Sequence, residues 1–453
     1  MVTRAVTGEL EAVPAGSPWS LLFFGAVAAL TIGAVGVDNA VSIGVVAVNL
    51  VFVVFLMRHL AFASASRWAV VDLNEAADLE SDDKPVVSVL VACHNEELVA
   101  HSLVYGLAAL EYPRDRLEVF LVDDNSTDGT AEILRELTAD HPFMRLVRRP
   151  PDAEGGKSGA LNAALDLATG EVIVVFDADH VPEPDSVGRL ARHFRDPEVG
   201  AVQGRCVVRN PDDSALARAV AVDYLSGYLV NEYGRQALFQ LPAYGGANCA
   251  VRAATLRRLG GWNTDSVTED TDLTLRVVLA GERVRYDVTA VDTEQAPTTL
   301  RRFWRQRYRW ARGHQQVWRD LRRDVMRSKN LRLPEKIETL LFLLVYHVPM
   351  ASFAGVVLLA LRLAGVGHRI TMFELLPLSA LLFAGPFCEL ASGMLAGRTP
   401  RRMVWTLVWM LPVFAMSILV CTKAWVDGLL GRPCCWVKTQ RSASGLVLEG
   451  ASP

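Results

Sequence analysis

The feature that most restricts how this chain can fold is the uneven distribution of its charged residues. Most of the 50 Asp and Glu residues lie between Asp72 and Glu335, while long, largely uncharged stretches occupy both ends. A helix needs about 20 mainly apolar residues to cross the hydrocarbon core of a bilayer, so these stretches predict membrane helices. They run from Trp19 to Val37, Val41 to Leu60, Ile337 to Leu363, Met372 to Leu395 and Val404 to Leu430. The chain therefore combines membrane spans at its ends with a water-soluble domain in its middle.

The charges that flank the apolar stretches indicate their orientation. Only Arg4 precedes the first stretch and a second one follows at once, which favours a hairpin of two helices over a cleaved signal peptide. Arg58, His59 and Arg67 lie at or just beyond the end of the second stretch, which predicts that the middle of the chain is in the cytosol. Positive clusters lie on both sides of the last stretch. It is therefore either a hairpin bent at Pro412 or a span that leaves the C-terminus outside, and we favour a cytosolic tail.

Composition narrows the classes of function. The net charge of −4 gives no indication of nucleic-acid binding. The seven cysteines show no CxxC or zinc-ligand spacing, which predicts reduced thiols, and the adjacent Cys434 and Cys435 are interpreted as packed thiols. The basic stretch from Arg301 to Arg332 is interleaved with aromatic residues and precedes a span. It is interpreted as an amphipathic helix on the anionic membrane surface rather than a nucleic-acid site.

The middle of the chain alternates between strand and helix patterns. Val86 to Ala92 is a continuous apolar run, typical of a parallel strand buried on both faces. Further strands are predicted at Leu117 to Val122 and at Glu171 to Phe176. One predicted helix begins after the polar His94-Asn95-Glu96-Glu97 and ends at Leu110, and another runs from Ala131 to Thr138. This alternation predicts a doubly wound α/β sheet. Such sheets bind ligands beyond the carboxyl ends of their strands, where the acidic clusters of this sequence lie.

Two acidic motifs follow predicted strands. Asp177 and Asp179 come directly after one, and alternate residues of an extended backbone point the same way. Their carboxylates can therefore hold Mg²⁺ or Mn²⁺, which keeps positions open for phosphate oxygens. Asp123 and Asp124 end a second strand, where a carboxylate can bind a base or ribose. The alternative, a turn that caps the next helix, is compatible with that role.

A glycine-rich loop contains Lys157. A P-loop is excluded, because Pro151 stands where the first glycine should be and no strand leads in. The loop is interpreted as one that brings Lys157 near a diphosphate, with a solvated lysine as the alternative.

Two helical motifs complete the set. Carboxylates in the first turn of a helix, such as Asp270, are usually caps, yet a buried one is a good candidate general base. Gln306, Arg309 and Trp310 lie at i, i+3 and i+4 and share one helix face. An amide, a guanidinium and an indole on one face suit a sugar acceptor and a diphosphate leaving group, although each alone is more often structural.

Together these motifs resemble those of the processive family 2 glycosyltransferases, which include the cellulose, chitin, hyaluronan and poly-N-acetylglucosamine synthases. The resemblance extends from about Val86 to Gly313, and Trp436-Val437-Lys438-Thr439 looks like a C-terminal motif of bacterial relatives. In chain order the motifs are Cys93-His94-Asn95-Glu96, Asp123-Asp124, Lys157 with Ala160-Leu161-Asn162, Asp177-Ala178-Asp179, Gln203-Gly204-Arg205, Thr268-Glu269-Asp270 and Gln306-Arg307-Tyr308-Arg309-Trp310.

The resemblance implies an α/β GT-A (Rossmann-like) cytosolic domain flanked by transmembrane helices, and an inverting mechanism. Asp124 would bind the uridine of the donor, Asp177 and Asp179 a metal-bound diphosphate, and Asp270 would deprotonate the acceptor hydroxyl. The full expectation assigns catalysis to Asp270 and Glu269, donor binding to Asp124, Asp123, Asn95, Glu96, Lys157, Asp177 and Arg309, acceptor binding to Gln306, Trp310, Gly246, Gln203 and Arg205, and metal binding to Asp177 and Asp179.

The sequence predicts five regions along the chain. They are a transmembrane hairpin at 1–62, the GT-A domain at 63–300, amphipathic interface helices at 301–335, transmembrane helices at 336–430 and a tail at 431–453. The prediction is a multi-pass protein of the plasma membrane with a cytosolic catalytic domain.

The leading functional hypothesis is a synthase that polymerises sugar from a UDP-sugar, UDP-GlcNAc or UDP-Glc, and passes the product through its own helices. Membrane lipids and a small accessory membrane subunit are candidate partners, and nucleic acid is not. The alternative is a non-processive enzyme that adds one or a few sugars to a lipid. A third hypothesis is a transporter or sensor without catalysis, but it predicts a lost metal or base carboxylate, and Asp177, Asp179 and Asp270 are all present. Two departures from typical cellulose synthases are a shorter chain and no segment resembling a cyclic-di-GMP-binding domain.

Overall fold

The computed structural model describes residues 26, 29–68, 84–243, 245–366 and 372–432, without the side chains of 372–383. Several predictions fall outside these residues. They concern about half of the first apolar stretch, Tyr244 near the predicted acceptor residue Gly246, the Cys434-Cys435 pair, the motif from Trp436 to Thr439 and nearly all of the tail.

The soluble part is built on one mixed sheet of eight strands. Its strands are β1 (Val87–Cys93), β2 (Leu117–Asp123), β3 (Met144–Arg148), β4 (Val172–Asp177), β5 (Val181–Pro182), β6 (Val199–Val208), β7 (Cys249–Arg252) and β8 (Arg283–Glu294). They lie in the order β3-β2-β1-β4-β7-β6-β8-β5. The predicted strands β1, β2 and β4 pair in parallel, while β7 is antiparallel to both β4 and β6. The sheet is therefore mixed beyond β4.

The apolar side chains of β1 explain why this strand is central. Val89 and Val91 pack into a cluster on one face of the sheet, while Leu90 packs into a cluster on the other face. Successive side chains of a strand point to opposite faces, so a continuous apolar run is what burial on both faces requires. All three residues are completely buried.

Helices cover the sheet and lead from it. They are α2 (Ala100–Ala108), α3 (Thr130–Thr138), α4 (Gly156–Leu165), α5 (Ser186–Ala191), α6 (Ala215–Ser226), α7 (Tyr233–Phe239), α8 (Ala253–Arg258), α9 (Glu269–Leu279) and α10 (Leu300–Arg327), with α1 (Val37–Ala65) preceding the sheet. A π-helical turn, Gly227–Glu232, joins α6 to α7, and 3-10 turns occupy Ser66–Trp68, Arg114–Arg116 and Arg192–Arg195.

Four helices follow α10 in the apolar C-terminal part of the chain. They are α11 (Leu333–Leu344), α12 (Val348–Leu363), α13 (Met372–Ala396) and α14 (Thr406–Leu429), the last preceded by a 3-10 turn at Arg401–Trp405. Within the described residues, α1 and the segment Arg401–Leu429 are each long and apolar enough to cross a membrane.

Two expectations about these helices require correction. The stretch from Ile337 to Leu363 is not one straight helix, because α11 and α12 meet at a bend of 65°. Pro349, which lacks a backbone N–H, lies in the first turn of α12 and favours a break there. The hairpin interpretation of the last stretch is wrong, because α14 continues through Pro412 as one helix. Transmembrane helices tolerate such a proline, since neighbouring groups satisfy the freed carbonyl.

Candidate active site

The carboxyl ends of β1, β2 and β4 bring the acidic motifs to one edge of the sheet. The parallel register aligns Cys93 with Asp123 and Ala92 with Asp177. Both acidic motifs therefore lie at the same edge of the sheet, at the ends of the two strands that flank β1.

Asn95 and Asp123 shape the turns at this edge. Asn95 has a positive φ of 54°, a conformation that Asn tolerates better than most residues, and its Oδ1 accepts a hydrogen bond from Thr127 N at 2.7 Å. Asp123 is buried, and its Oδ1 accepts a bond from Ser126 N at 3.2 Å. Both side chains thus hold the loop that presents Asp124.

Asp124 is bound by a basic residue that the sequence analysis did not identify. Arg149, which follows β3, forms an ion pair with the Asp124 carboxylate and also donates to Gly156 O at 3.4 Å. Burial raises the pKa of Asp124, and Arg149 opposes that rise. The position of Arg149 just after β3, the strand next to β2, is a signal that could indicate its contact with Asp124. Using that signal requires the strand order, which the sequence does not give.

Lys157 lies at the centre of the site and does not point into solvent. Its Nζ is 2.6 Å from Asp177 Oδ1 and 3.2 Å from Glu269 Oε1, and it donates to Gly246 O at 3.0 Å. Burial alone would lower the pKa of Lys157, but Asp177 and Glu269 outweigh it and keep the amine charged. The lysine thereby connects the Asp-x-Asp turn to the first turn of α9.

The Asp-x-Asp turn offers a candidate cation site. Ligand atoms of Asp177, Asp179 and His180 all lie within 4.8 Å of one another. His180 is already engaged, since its Nδ1 is 2.5 Å from Asp292 Oδ2 and its Nε2 is 2.8 Å from Glu294 Oε2. Mg²⁺ and Mn²⁺ prefer oxygen ligands, so the residues that fit such an ion are the two aspartates.

Asp270 is half-buried beside a second carboxylate. Burial raises its pKa from an ordinary 3.8 to about 6, and the neighbouring Glu269 acts in the same direction. Asp270 also accepts a hydrogen bond from Thr271 N at 2.6 Å. A Cβ on Gly246, whose φ is +77°, would lie 3.1 Å from Asp270 Oδ2. The loop that contains Gly245 and Gly246 therefore packs directly against the predicted base.

Helix α10 carries the predicted acceptor motif to the same place. Gln306, Arg309 and Trp310 all line a cavity of about 720 Å³ together with Asp270 and Lys157. The intervening Arg307 is 2.5 Å from Asp223 Oδ2 and stacks over the Trp310 ring at 4.6 Å. Arg307 thus fixes the indole, a role that the sequence analysis missed because Asp223 lies 84 positions away.

The cavity extends from the sheet edge to apolar helices that flank the domain. Its inner part is lined by Asp177, Asp179, Gln203 and Glu269, and its outer part by side chains of α1, α13 and α14. Gln203 supports the loop that contains Gly245 and Gly246, since its Oε1 accepts a hydrogen bond from Gly245 N at 2.5 Å.

Several predicted site residues do not line this cavity. Asn95, Asp123 and Asp124 lie at the neighbouring turns, Glu96 is buried at the start of the loop before α2, and Arg205 bonds Asn248 through its carbonyl. Their predicted roles in donor or acceptor binding remain predictions.

The mixed sheet and the helices around it define the GT-A class of glycosyltransferase fold, as the sequence predicts. Residues 85–313 match the family described as "Glycosyltransferase like family 2". The match covers half of the chain, and the protein belongs to this family.

Similar proteins include both curated relatives and a solved structure. The "Probable glycosyltransferase YdaM" of Bacillus subtilis is 39% identical over 235 residues, which cover 51% of this chain and 56% of that protein. The "Beta-monoglucosyldiacylglycerol synthase" of Nostoc sp. is 35% identical over 279 residues, or 61% of this chain and 59% of the relative. The match thus spans less than two thirds of either relative.

A mannosyltransferase from Pyrobaculum calidifontis, solved with GDP-Man and Mn²⁺, is similar in structure. It has a TM-score of 0.57 and 25% sequence identity, and the match covers 84% of this chain and 99% of that one.

Proposed function

We propose that the protein is an inverting glycosyltransferase that moves a sugar from a UDP-sugar to a lipid acceptor held at the membrane surface. The observation that carries the proposal is the single cavity that is lined both by Asp270 and by side chains of the membrane helices. Such a cavity gives an amphiphile access to the predicted base without leaving the bilayer.

The donor side of the proposal rests on the charges at the sheet edge. Asp177 and Asp179 would hold Mg²⁺ or Mn²⁺ against the donor diphosphate. Lys157 lies beside Asp177 and would neutralise the charge of the diphosphate further. The similar mannosyltransferase was solved with Mn²⁺ and a nucleotide sugar. Asp124, held by Arg149, would bind the nucleoside. The bound cation would supply charge stabilisation of the leaving diphosphate.

The transfer step needs only one displacement. Asp270 accepts the proton of the acceptor hydroxyl, whose oxygen attacks the anomeric carbon of the sugar. The bond from that carbon to the diphosphate oxygen breaks, and the nucleoside diphosphate leaves with the electron pair. Arg309 and Lys157 line the cavity and would stabilise the negative charge of the leaving nucleoside diphosphate. A carboxyl group with a pKa of about 6 is well suited to accept a proton near neutral pH.

The acceptor side of the proposal rests on the apolar wall of the cavity. The cavity is lined by Phe52, Phe55 and Leu56 of α1 and by Phe414 and Ile418 of α14. Apolar walls suit acyl chains, whereas a polysaccharide in transit presents hydroxyl groups throughout its length.

A second candidate function is polymerisation of the sugar with passage of the product through the helices. It is favoured by Gln306 and Trp310, which line the cavity together with Asp270 as an acceptor glycan would require. In either case the protein would be a multi-pass protein of the plasma membrane with its catalytic domain in the cytosol.

The experiment that tests the proposal measures sugar transfer by the full chain in lipid nanodiscs. A panel of radiolabelled UDP-sugars is supplied with Mg²⁺ or Mn²⁺, and products are separated by organic extraction and by size on a gel. A small product that partitions into the organic phase supports the lipid acceptor. A high-molecular-weight product would establish the polymerising function instead.

A further inference from the structure

Helix α10 contacts the start of α9 at two successive positions. Gly313 packs against Thr268, where a Cβ on the glycine would lie 2.2 Å from Thr268 Cγ2. The next residue, His314, has its Nε2 atom 3.3 Å from Thr271 Oγ1. Because position 313 has no side chain, the two helices approach closely enough for this second contact. His314 also lines the cavity that contains Asp270.

Thr271 connects His314 to the predicted base. Thr271 is buried, its Oγ1 is 3.3 Å from Asp270 Oδ1, and its backbone N–H donates to the same oxygen at 2.6 Å. The three residues therefore form one chain of polar contacts from His314 through Thr271 to Asp270. Hydrogen bonds between catalytic groups are often long in the absence of substrate and shorten in the reacting complex.

Aromatic side chains hold the His314 ring in place. Its centroid is 4.6 Å from that of the Tyr346 ring and 5.4 Å from that of the Phe342 ring. Phe342 lies in α11, and Tyr346 lies between α11 and α12. The ring is thus oriented by neighbours outside its own helix, with Nε2 next to Thr271.

Burial keeps His314 neutral. It lowers the pKa of the imidazole from 6.5 to about 3, and Arg235 and His347 act in the same direction. A neutral imidazole carries a single N–H, and among the described residues Nδ1 has no hydrogen-bond partner. A hydrogen on Nε2 can donate to Thr271 Oγ1, which leaves the Thr271 hydroxyl free to donate to Asp270. The other tautomer would bury an N–H on Nδ1 without an acceptor and would draw the hydroxyl away from the carboxylate.

We infer that His314 is a positioning residue for the general base, because it directs the hydroxyl of Thr271 toward the Asp270 carboxylate. The hydroxyl and the N–H of Thr271 then both stabilise the ionised carboxylate, which is the form that accepts the proton of the acceptor hydroxyl. His314 itself exchanges no proton with the substrate. The inference rests on the proposed function, in which Asp270 is the base, and adds a residue that lies outside the predicted motifs.

Other charged groups also act on Asp270. Burial and Glu269 raise its pKa to about 6, while the Thr271 N–H, Lys157 and Arg309 oppose that rise. Loss of the Thr271 hydroxyl as a donor would remove one charge-assisted hydrogen bond from the ionised form. The pKa of Asp270 should then rise by about one further unit.

The first test measures this rise through the stability of the full chain in nanodiscs, without substrate. Because folding raises the pKa of Asp270, the melting advantage of Asp270→Asn over its parent grows above about pH 4 and becomes constant above the folded-state pKa. That plateau should begin near pH 6 in the native background and about one pH unit higher in a His314→Leu background. A plateau that begins at the same pH in both backgrounds would overturn the inference.

Matched variants separate the hydrogen bond from packing. His314→Gln keeps an N–H at the same distance along the side chain, so the plateau should still begin near pH 6. Thr271→Val removes the hydroxyl at nearly constant volume, and it should shift the plateau as His314→Leu does, which also covers poor folding of the latter. His101→Leu, at an exposed histidine of α2, is the control and should shift nothing. Equal shifts in His314→Gln and His314→Leu would show that the residue only packs.

The second test measures turnover. The full chain in nanodiscs of bacterial total lipid receives radiolabelled UDP-GlcNAc or UDP-Glc with Mn²⁺, and kcat/KM is determined from pH 5 to pH 8. If the pKa of Asp270 rises to about 7, His314→Leu should lose about fivefold at pH 6 but only about a tenth at pH 8. An equal loss at every pH would count against the positioning role. No turnover by the native protein with either donor would contradict the proposed function, whereas the melting profiles would still decide the role of His314.

Discussion

The assignment of Asp270 as general base predicts an unusual pH dependence of transfer. Its pKa is about 6 rather than 3.8. By the titration relation, the ionised fraction is then about nine in ten at pH 7 and about one in eleven at pH 5. The value of kcat/KM should therefore fall about tenfold between pH 7 and pH 5. With an unshifted pKa, the same change of pH would lower the rate by less than about a tenth.

The assay measures initial rates at limiting donor, saturating divalent metal and pH 4.5 to 8, with donor binding followed separately. In Glu269→Gln the acid limb should move to lower pH, because the Glu269 charge helps to raise the pKa of Asp270. Asp115→Asn, an exposed change in the turn before β2, should leave the pH at which kcat/KM falls unchanged. A flat profile from pH 7 to pH 5 at constant donor binding would refute the assignment, as would full turnover in Asp270→Asn.

The raised pKa of Asp270 also makes the free energy of unfolding depend on pH. The pKa of Asp270 is raised on folding, so folding favours its neutral form. That contribution is fully present below about pH 4 and is lost as the pH rises through 6. The ionised form then costs up to about 3 kcal/mol. Asp270→Asn should therefore melt higher than the native protein at pH 8 but not at pH 4. Equal melting shifts at both pH values would contradict this reasoning.

Three further predictions follow from individual contacts. Asp179→Ala should abolish metal-dependent donor binding in calorimetry with Mn²⁺, and tight binding without a divalent ion would contradict the metal site. Gly313→Ala should lower stability by about 1–3 kcal/mol in thermal unfolding, because its Cβ would lie 2.2 Å from Thr268 Cγ2. Gly188→Ala, whose Cβ would have nothing within 4 Å, is the control and should not destabilise. Arg149→Met should weaken UDP binding severalfold, since it leaves the Asp124 carboxylate buried without its partner.

The sequence predicts the parallel half of the sheet and the edge where the site lies. Strands β1, β2 and β4 are recognisable because burial on both faces demands continuous apolar runs, and the acidic motifs follow them directly. The antiparallel insertion of β7 between β4 and β6 is not predictable in this way, because strand pairing depends on contacts between distant parts of the chain. The GT-A fold is predicted by the resemblance of the motifs to a known family, and not by the strand patterns.

The charged contacts of the site are the part that the sequence conceals. Arg58 indicates only membrane orientation in the sequence, because its partner Glu338 lies 280 positions further along the chain. Lys157 was placed near a diphosphate, but its contacts with Asp177 and Glu269 depend on how α4 and α9 approach each other. Pairings of this kind arise from tertiary packing, and local patterns do not encode them.

Helix α10 connects the catalytic centre to the bilayer mechanically. Gly313 packs against Thr268, two positions before Asp270, while Gln315 Nε2 donates to Cys421 O of α14 at 3.2 Å. Helix α10 therefore contacts both α14 and the residue two positions before Asp270, and a tilt of α14 is expected to act on that loop through α10. Hydrophobic thickness changes the tilt of membrane helices at modest cost. The rate of the proposed sugar transfer should consequently depend on the acyl-chain length of the surrounding lipids.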